Sequence, residues 1–275
     1  MTAFVFGVFG LIVGSFLNVL VLRRGRAPLS GRSTCPHCGQ LVSWYDNIPI
    51  FSWILLRGRC RACGSAISLQ YPIVEGVTGV IFAFFSPLYS AAQHFPFPIG
   101  VLLLADYLTI ASLLIAIAVY DLRTTYIPDT WVYACIALAF VSQFLTSLPQ
   151  FDLAVVLLSG PAAAVLLFLV WFVSKGRWMG LGDVKLALGI GYLLGPLYGF
   201  IAVMFAFVLG AVVSLLILLP LPAIARFLSD WGIAHIAPSQ SYTMKSEIPF
   251  GPFLIASCIF VWFTQIYGIP LPLFP

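Results

Sequence analysis

Charge is scarce in this chain. Only 8% of its 275 residues are Asp, Glu, Lys or Arg, where soluble domains carry about 25%. That excludes a water-solvated globule for most of the sequence, and a mean hydropathy of +1.07 makes lipid its solvent. The net charge of +4 is spread over loops, with no basic stripe on a polar face, so nucleic acid is excluded as a partner. No G-x-S-x-G, H-E-x-x-H or serine–lysine pair is present, which removes those hydrolase classes. Internal repeats and low-complexity tracts are also missing.

What is there is a series of apolar segments. A span needs roughly 20 mainly apolar residues. Eight segments qualify, at about 3–22, 73–90, 99–119, 131–148, 153–173, 183–198, 199–220 and 251–269, the second and sixth being short and Gly-rich. The sixth and seventh meet at the turn signal Gly195-Pro196-Leu197-Tyr198-Gly199. The first segment lacks a basic lead-in and a small-residue cleavage site, so it reads as a retained helix rather than a removed signal. With eight spans, 23–72, 120–130, 174–182 and 221–250 share one side, and these plus Lys185 hold all 13 Lys and Arg. By the positive-inside rule that side is cytoplasmic and both termini lie outside. His94 and His235 then fall on opposite sides and cannot share a site. A stretch from Ile224 to Ile236 reads as an interfacial amphipathic helix.

Residues 23–72 are not lipid-soluble, carrying seven arginines and four cysteines. Cys35-Pro36-His37-Cys38 and Cys60-Arg61-Ala62-Cys63 are two C-x2-C pairs, followed by Gly39 and Gly64, whose backbone freedom lets a knuckle turn back. Four thiolates in two knuckles suit tetrahedral zinc, and a metal stabilises a segment too small for its own core. A reducing cytoplasm argues against disulfides, and the βαβ context of a redox C-x-x-C is missing. His37 is a bystander to four thiolates. Cys135 and Cys258 read as small buried residues in apolar spans. The expected fold is an all-α polytopic membrane bundle of about eight transmembrane helices, with a small cytoplasmic zinc-binding domain between helices one and two. The divisions are 1–22, 23–72 and 73–275.

Ionisable residues in spans are rare and usually functional. Asp121 ends the third span and Asp183 opens the sixth, both at the cytoplasmic boundary. Paired carboxylates sharing one proton can hydrolyse a peptide without a metal. The competing reading is capping, with Arg123 and Lys185 as ion-pair partners. Gly180 and Gly182 favour catalysis by allowing a positive φ or a close backbone approach before Asp183. The helix dipole favours the anion on Asp183, which opens a helix, and disfavours it on Asp121, which closes one. Glu75 is a pocket candidate or a snorkelling residue, Asp106 lies in the outer half of its span, and Asp129 and Asp152 read as helix caps or loop residues.

Several motifs in order resemble one family. They are Gly14-Ser15-Phe16-Leu17-Asn18-Val19, the cysteine pairs, Tyr45-Asp46-Asn47-Ile48-Pro49, Leu56-Arg57-Gly58-Arg59, Tyr71-Pro72 with Val74-Glu75, Asp121-Leu122-Arg123, Gly180-Leu181-Gly182-Asp183-Val184-Lys185 and Pro249-Phe250-Gly251-Pro252-Phe253. The chain is similar to the bacterial type IV prepilin peptidases, GxGD membrane aspartyl proteases of the inner membrane. The resemblance implies cleavage of the basic leader of type IV prepilins and type II secretion pseudopilins at a Gly–Phe-like junction. It maps the catalytic pair onto Asp121 and Asp183. It also implies N-methylation of the new amino terminus from S-adenosylmethionine, since Cys35, Cys38, Cys60 and Cys63 are all kept. The family's Gly-Lys is Gly58-Arg59 here. Gly58, Arg59 and Glu75 are the candidates for the methyl-donor site, and no Gly-rich methyltransferase loop stands in 23–72. The alternatives are a peptidase with a purely structural zinc domain, or a transporter or assembly scaffold. The few charges in the outer halves of the spans argue against a through-path.

Overall fold

The computed structural model describes residues 1–25, 28–147, 152–218 and 249–270. The expected interfacial stretch Ile224–Ile236 and His235 lie outside them. Ten α-helices form among the described residues, α1 (Thr2–Arg23), α2 (Phe51–Leu55), α3 (Gln70–Phe84), α4 (Pro87–Ala92), α5 (Ile99–Thr124), α6 (Asp129–Ser147), α7 (Leu153–Ser174), α8 (Leu181–Leu194), α9 (Pro196–Val213) and α10 (Gly251–Ile266), with a short 3-10 turn at Trp44–Asn47. A π-helical turn, Ser214–Leu218, continues α9. No strand forms among them, only two isolated bridges, Thr34 with Leu41 and Arg59 with Ala66.

Eight helices stand where the apolar segments predict them. Five (α1, α5, α6, α7 and α9 with its extension) are long and apolar enough to cross a membrane, so the chain is a multi-pass membrane protein. The 15 residues of α3 and 14 of α8 reach only about 21–23 Å at 1.5 Å per residue. The second segment differs from expectation. It starts at Gln70 and breaks after Phe84, and Pro87 then opens the separate short helix α4. Proline lacks the N–H that a continuing helix would need. Exposure supports lipid as the solvent: on α7, Phe172 is 65% and Val173 69% exposed, at the open rather than the packed face.

The chain forms two compact units. One comprises Met1–Tyr120, Ala137–Ser142 and Trp262–Pro275, the other Asp121–Ile136 and Gln143–Val261. In the first, α1 packs along α3. Lipid is as apolar as leucine, so such packing rests on close approach and polar ties rather than on hydrophobic gain. A Cβ on Gly14 would lie 2.7 Å from the Glu75 Cα. Asn18, fully buried, donates to Gly14 O at 3.3 Å and Tyr71 O at 3.2 Å, and its Oδ1 accepts from Gln70 at 3.3 Å. Phe85 packs on Trp262 with ring centroids 4.5 Å apart. In the second unit, α7, α8 and α9 pack together around Leu167, Leu186, Ile190 and Val203.

Candidate active site and metal centre

Asp121 sits in the last turn of α5 and is 3% exposed; Asp183 is the third residue of α8 and is 8% exposed. Both belong to the second unit. Asp121 Oδ2 accepts a hydrogen bond from the Gly251 N–H at 3.1 Å. Gly251 opens α10, so Asp121 faces the donor end of another helix. Only glycine fits there, because a Cβ would lie 2.5 Å from Asp121 Oδ2 and 3.2 Å from Ile127 Cδ1. Ile127 also touches the start of α8, where a Cβ on Gly182 would lie 3.0 Å from the Ile127 Cβ. One buried isoleucine thus bridges the two aspartate neighbourhoods, and the two carboxylates lie within electrostatic reach of each other.

Capping explains part of Asp183. It occupies the third position of its helix, and the N–H of the cap residue Gly180 serves its carboxyl. Its Oδ1, however, is buried with no hydrogen-bond partner among the described residues. An orphaned buried carboxylate oxygen is costly in a purely structural role. Gly180 has φ −73°, so of the two expected reasons for these glycines the close approach at Gly182 is met and a positive φ is not.

Lys185 does not pair with Asp183. Its Nζ lies 2.8 Å from Asp129 Oδ1 and sits over the Tyr133 ring at 5.1 Å. Asp129 therefore opens α6 as an ion-pair partner, and Asp152 caps α7, accepting from Ala154 N at 3.0 Å and Val155 N at 3.4 Å. In the first unit, Asp106 has a buried Oδ2 with no partner among the described residues and meets the Ser142 side chain. His94 bonds Ser90 O within α4.

The four cysteines converge in the first unit. The ligand sulfurs of Cys35, Cys38, Cys60 and Cys63 all lie within 4.8 Å of one another, Cys35 and Cys63 at 3.9 Å. Tetrahedral zinc at 2.3 Å per sulfur needs about 3.8 Å between sulfurs, so the set fits a metal. The two knuckles repeat one design. In each, the first cysteine N–H donates across the loop (Cys35 to Gln40 O at 2.9 Å, Cys60 to Ser65 O at 2.8 Å), and the glycine N–H returns to the cysteine carbonyl at 2.9 Å. Gly39 and Gly64 adopt φ 71° and 70°. Backbone N–H groups of Cys38 and His37 pull the Cys35 thiol down to about 6 and the Ser65 hydroxyl lowers Cys63, whereas burial and the neighbouring Cys35 and Cys63 push Cys38 up to about 11, so without a metal the four thiols share charge unequally. Asp46 joins the second knuckle through Arg61 at 2.7 Å.

The three methyl-donor candidates are structurally occupied or set apart. Gly58 lies under the Trp53 ring, where a Cβ would be 2.7 Å from Cζ2, and its N–H and carbonyl bond Trp53 O and Ile67 N. Arg59 is exposed. Glu75, 6% exposed, accepts the Ile50 N–H at 2.7 Å and meets the Ser15 side chain. Two polar devices escaped sequence reasoning, because their partners are backbone groups. One is that Glu75–Ile50 bond. The other is the Arg23 guanidinium, which donates to the carbonyls of Pro28, Leu29, Ser30, Gly31 and Arg32 at 3.1–3.4 Å.

Residues 8–88 match the bacterial peptidase A24 N-terminal domain, and residues 108–215 match the type IV leader peptidase family. The chain is similar to a prepilin leader peptidase/N-methyltransferase of Myxococcus xanthus, 35% identical over 77% of this chain and 62% of that protein. A protein of the same name from Vibrio cholerae is 31% identical over 94% of this chain and 95% of its own length. A type 4 prepilin-like proteins leader peptide-processing enzyme of Escherichia coli is 29% identical over 89% of this chain and 87% of its own. No solved structure matches.

Proposed function

Because the chain belongs to the type IV leader peptidase family, we propose that it cleaves the basic leader of type IV prepilins and type II secretion pseudopilins and then N-methylates the new amino terminus. Its place is the bacterial inner membrane, with the active site facing the cytoplasm, both termini periplasmic, and 73–275 as the peptidase part. The observation that carries the peptidase assignment is the buried Asp183 Oδ1, without a partner among the described residues, on a carboxylate within electrostatic reach of Asp121.

Asp121 and Asp183 are the catalytic pair. Asp183 uses its open oxygen to take a proton from water, whose oxygen then bonds the scissile carbonyl carbon. Asp121, its Oδ2 held by the Gly251 N–H, keeps its other oxygen for the shared proton and delivers it to the leaving nitrogen as the C–N bond breaks. The helix dipoles no longer separate the two residues, since Asp121 faces the start of α10 as Asp183 sits at the start of α8. Each carboxylate accepts one backbone N–H, from Gly251 at Asp121 and from Gly180 at Asp183, so the roles rest on the buried Asp183 Oδ1, which has no partner among the described residues.

Cys35, Cys38, Cys60 and Cys63 hold a structural zinc that ties the two knuckles together. S-adenosylmethionine, when bound, supplies an electrophilic methyl group.

The test is incubation of the membrane-embedded protein with a prepilin and S-adenosylmethionine, read by product mass. The expected product lacks its leader and carries one methyl group. A cut but unmethylated pilin leaves a peptidase alone, and an uncut one removes the protease reading.

A further inference from the structure

A cavity of 580 Å³ opens between α1 and the four-cysteine segment, entirely within the first unit. Its lining joins apolar residues of α1, including Phe16 and Val19, to the polar or aromatic side chains of Ser15, Arg32, Trp44 and Asn47. The volume lies in the range of small-molecule sites, about 300–1,000 Å³. Trp44 is 77% exposed, its indole set edge-on to the Tyr45 ring at 5.7 Å and otherwise open.

The walls are held in advance. The Arg23 guanidinium fixes the carbonyls of 28–32 on one side, and Val42 N–H donates to Ser33 O at 2.8 Å. On the other side, Ile50 sits at φ 60°, ψ −50°, while Phe51 N–H returns to Pro49 O at 2.6 Å. That is a strained three-residue turn, costly for a β-branched residue. It persists because the buried Glu75 carboxylate takes the Ile50 N–H at 2.7 Å. Strain of this kind collects at ligand sites, and here it sets the position of Asn47–Pro49 in the cavity wall.

We propose that this cavity binds the methyl donor, an S-adenosyl amino acid, an assignment that rests on the methyl-transfer reading above. The Trp44 face suits a purine by stacking and a sulfonium by cation–π attraction. The Arg32 guanidinium matches the amino-acid carboxylate. Asn47 offers a donor and an acceptor for the ribose and the amine, and the Ser15 hydroxyl, its proton on Glu75, offers an acceptor. Gly58, Arg59 and Glu75 do not line the cavity. Glu75 is a positioning residue behind it, acting through Ile50.

The test uses the full-length, zinc-loaded protein in lipid nanodiscs and tritiated S-adenosylmethionine, with direct ultraviolet cross-linking, peptide mapping and equilibrium binding. Label is expected in peptides covering 29–49. Trp44→Ala and Arg32→Ala are each expected to weaken donor binding about tenfold, with Trp44→Phe restoring most of it, the scale of a lost stacking platform. Zinc content and thermal unfolding report whether each variant is folded. Label confined to other segments, unchanged affinity in both folded variants, or displacement of the label by phospholipid alone overturns the site. A wild-type protein that binds donor at 29–49 yet leaves cut pilin unmethylated keeps the site and removes the methyl-transfer reading. One that binds no donor removes both.

Discussion

Between Pro28 and Leu69 only Cys35, Ser52 and Gly58 are buried, whereas α7, α8 and α9 bury Leu167, Leu186, Ala187, Ile190, Ala202, Val203 and Ala206 against one another. The first region is held by polar and metal-ready ties: the cysteine cluster, Asp46 with Arg61, Arg23 on its carbonyls and Glu75 on Ile50. The second is held by close contact of small and apolar side chains. In lipid, close contact works without any hydrophobic gain. In water, a segment with so little interior needs a staple. The two regions should therefore fail under different insults.

The largest effect is expected at the aspartates. Asp121→Asn or Asp183→Asn should lower leader cleavage by about 10³-fold, the scale of a lost general acid or base, while zinc content and donor binding stay as in the parent. A variant that loses zinc along with cleavage would show that the two regions are not separable. Next comes the cluster. Cys60→Ser, or stripping the metal with a chelator, should reduce methylation of cut pilin at least about tenfold. Proteolytic nicking of residues 28–69 should rise, and cleavage of prepilin should decline less. Equal loss of both activities would contradict the comparison.

Gly251→Ala probes the close-packed side. Its methyl would collide with Asp121 Oδ2, which costs about 1–3 kcal/mol by overpacking. Cleavage should fall in kcat with zinc content unmoved. The smallest effect belongs to Lys185→Met. That pair is part exposed, at 23% and 48%, and such pairs contribute about 0.2–1 kcal/mol. A cleavage loss matching that of Asp183→Asn would instead place Lys185 in the chemistry.

Much of the bundle was readable because hydropathy reports the solvent directly, and eight apolar runs became eight helices. The break before Pro87 was not, since the run 73–90 stays apolar across it while the backbone loses a donor. The cysteine cluster was readable because C-x2-C spacing is itself geometry. Lys185 was not, for its partner lies 56 residues away and competes with the adjacent Asp183 on paper. Glu75 reads as a pocket or a snorkelling residue; it is buried, and its partner is a main-chain N–H that no side-chain pattern advertises.

The Arg23 clamp has a temporal meaning as well. The guanidinium ends α1, and its five carbonyls lie only 5–9 residues further on. At roughly 5–20 residues per second of synthesis, that loop can close within about two seconds of its anchor emerging. The first knuckle follows, the second must wait for Cys60, and the strained turn at Ile50 has no acceptor until Glu75 arrives. The segment is thus built outward from the first helix, with its most strained part secured last.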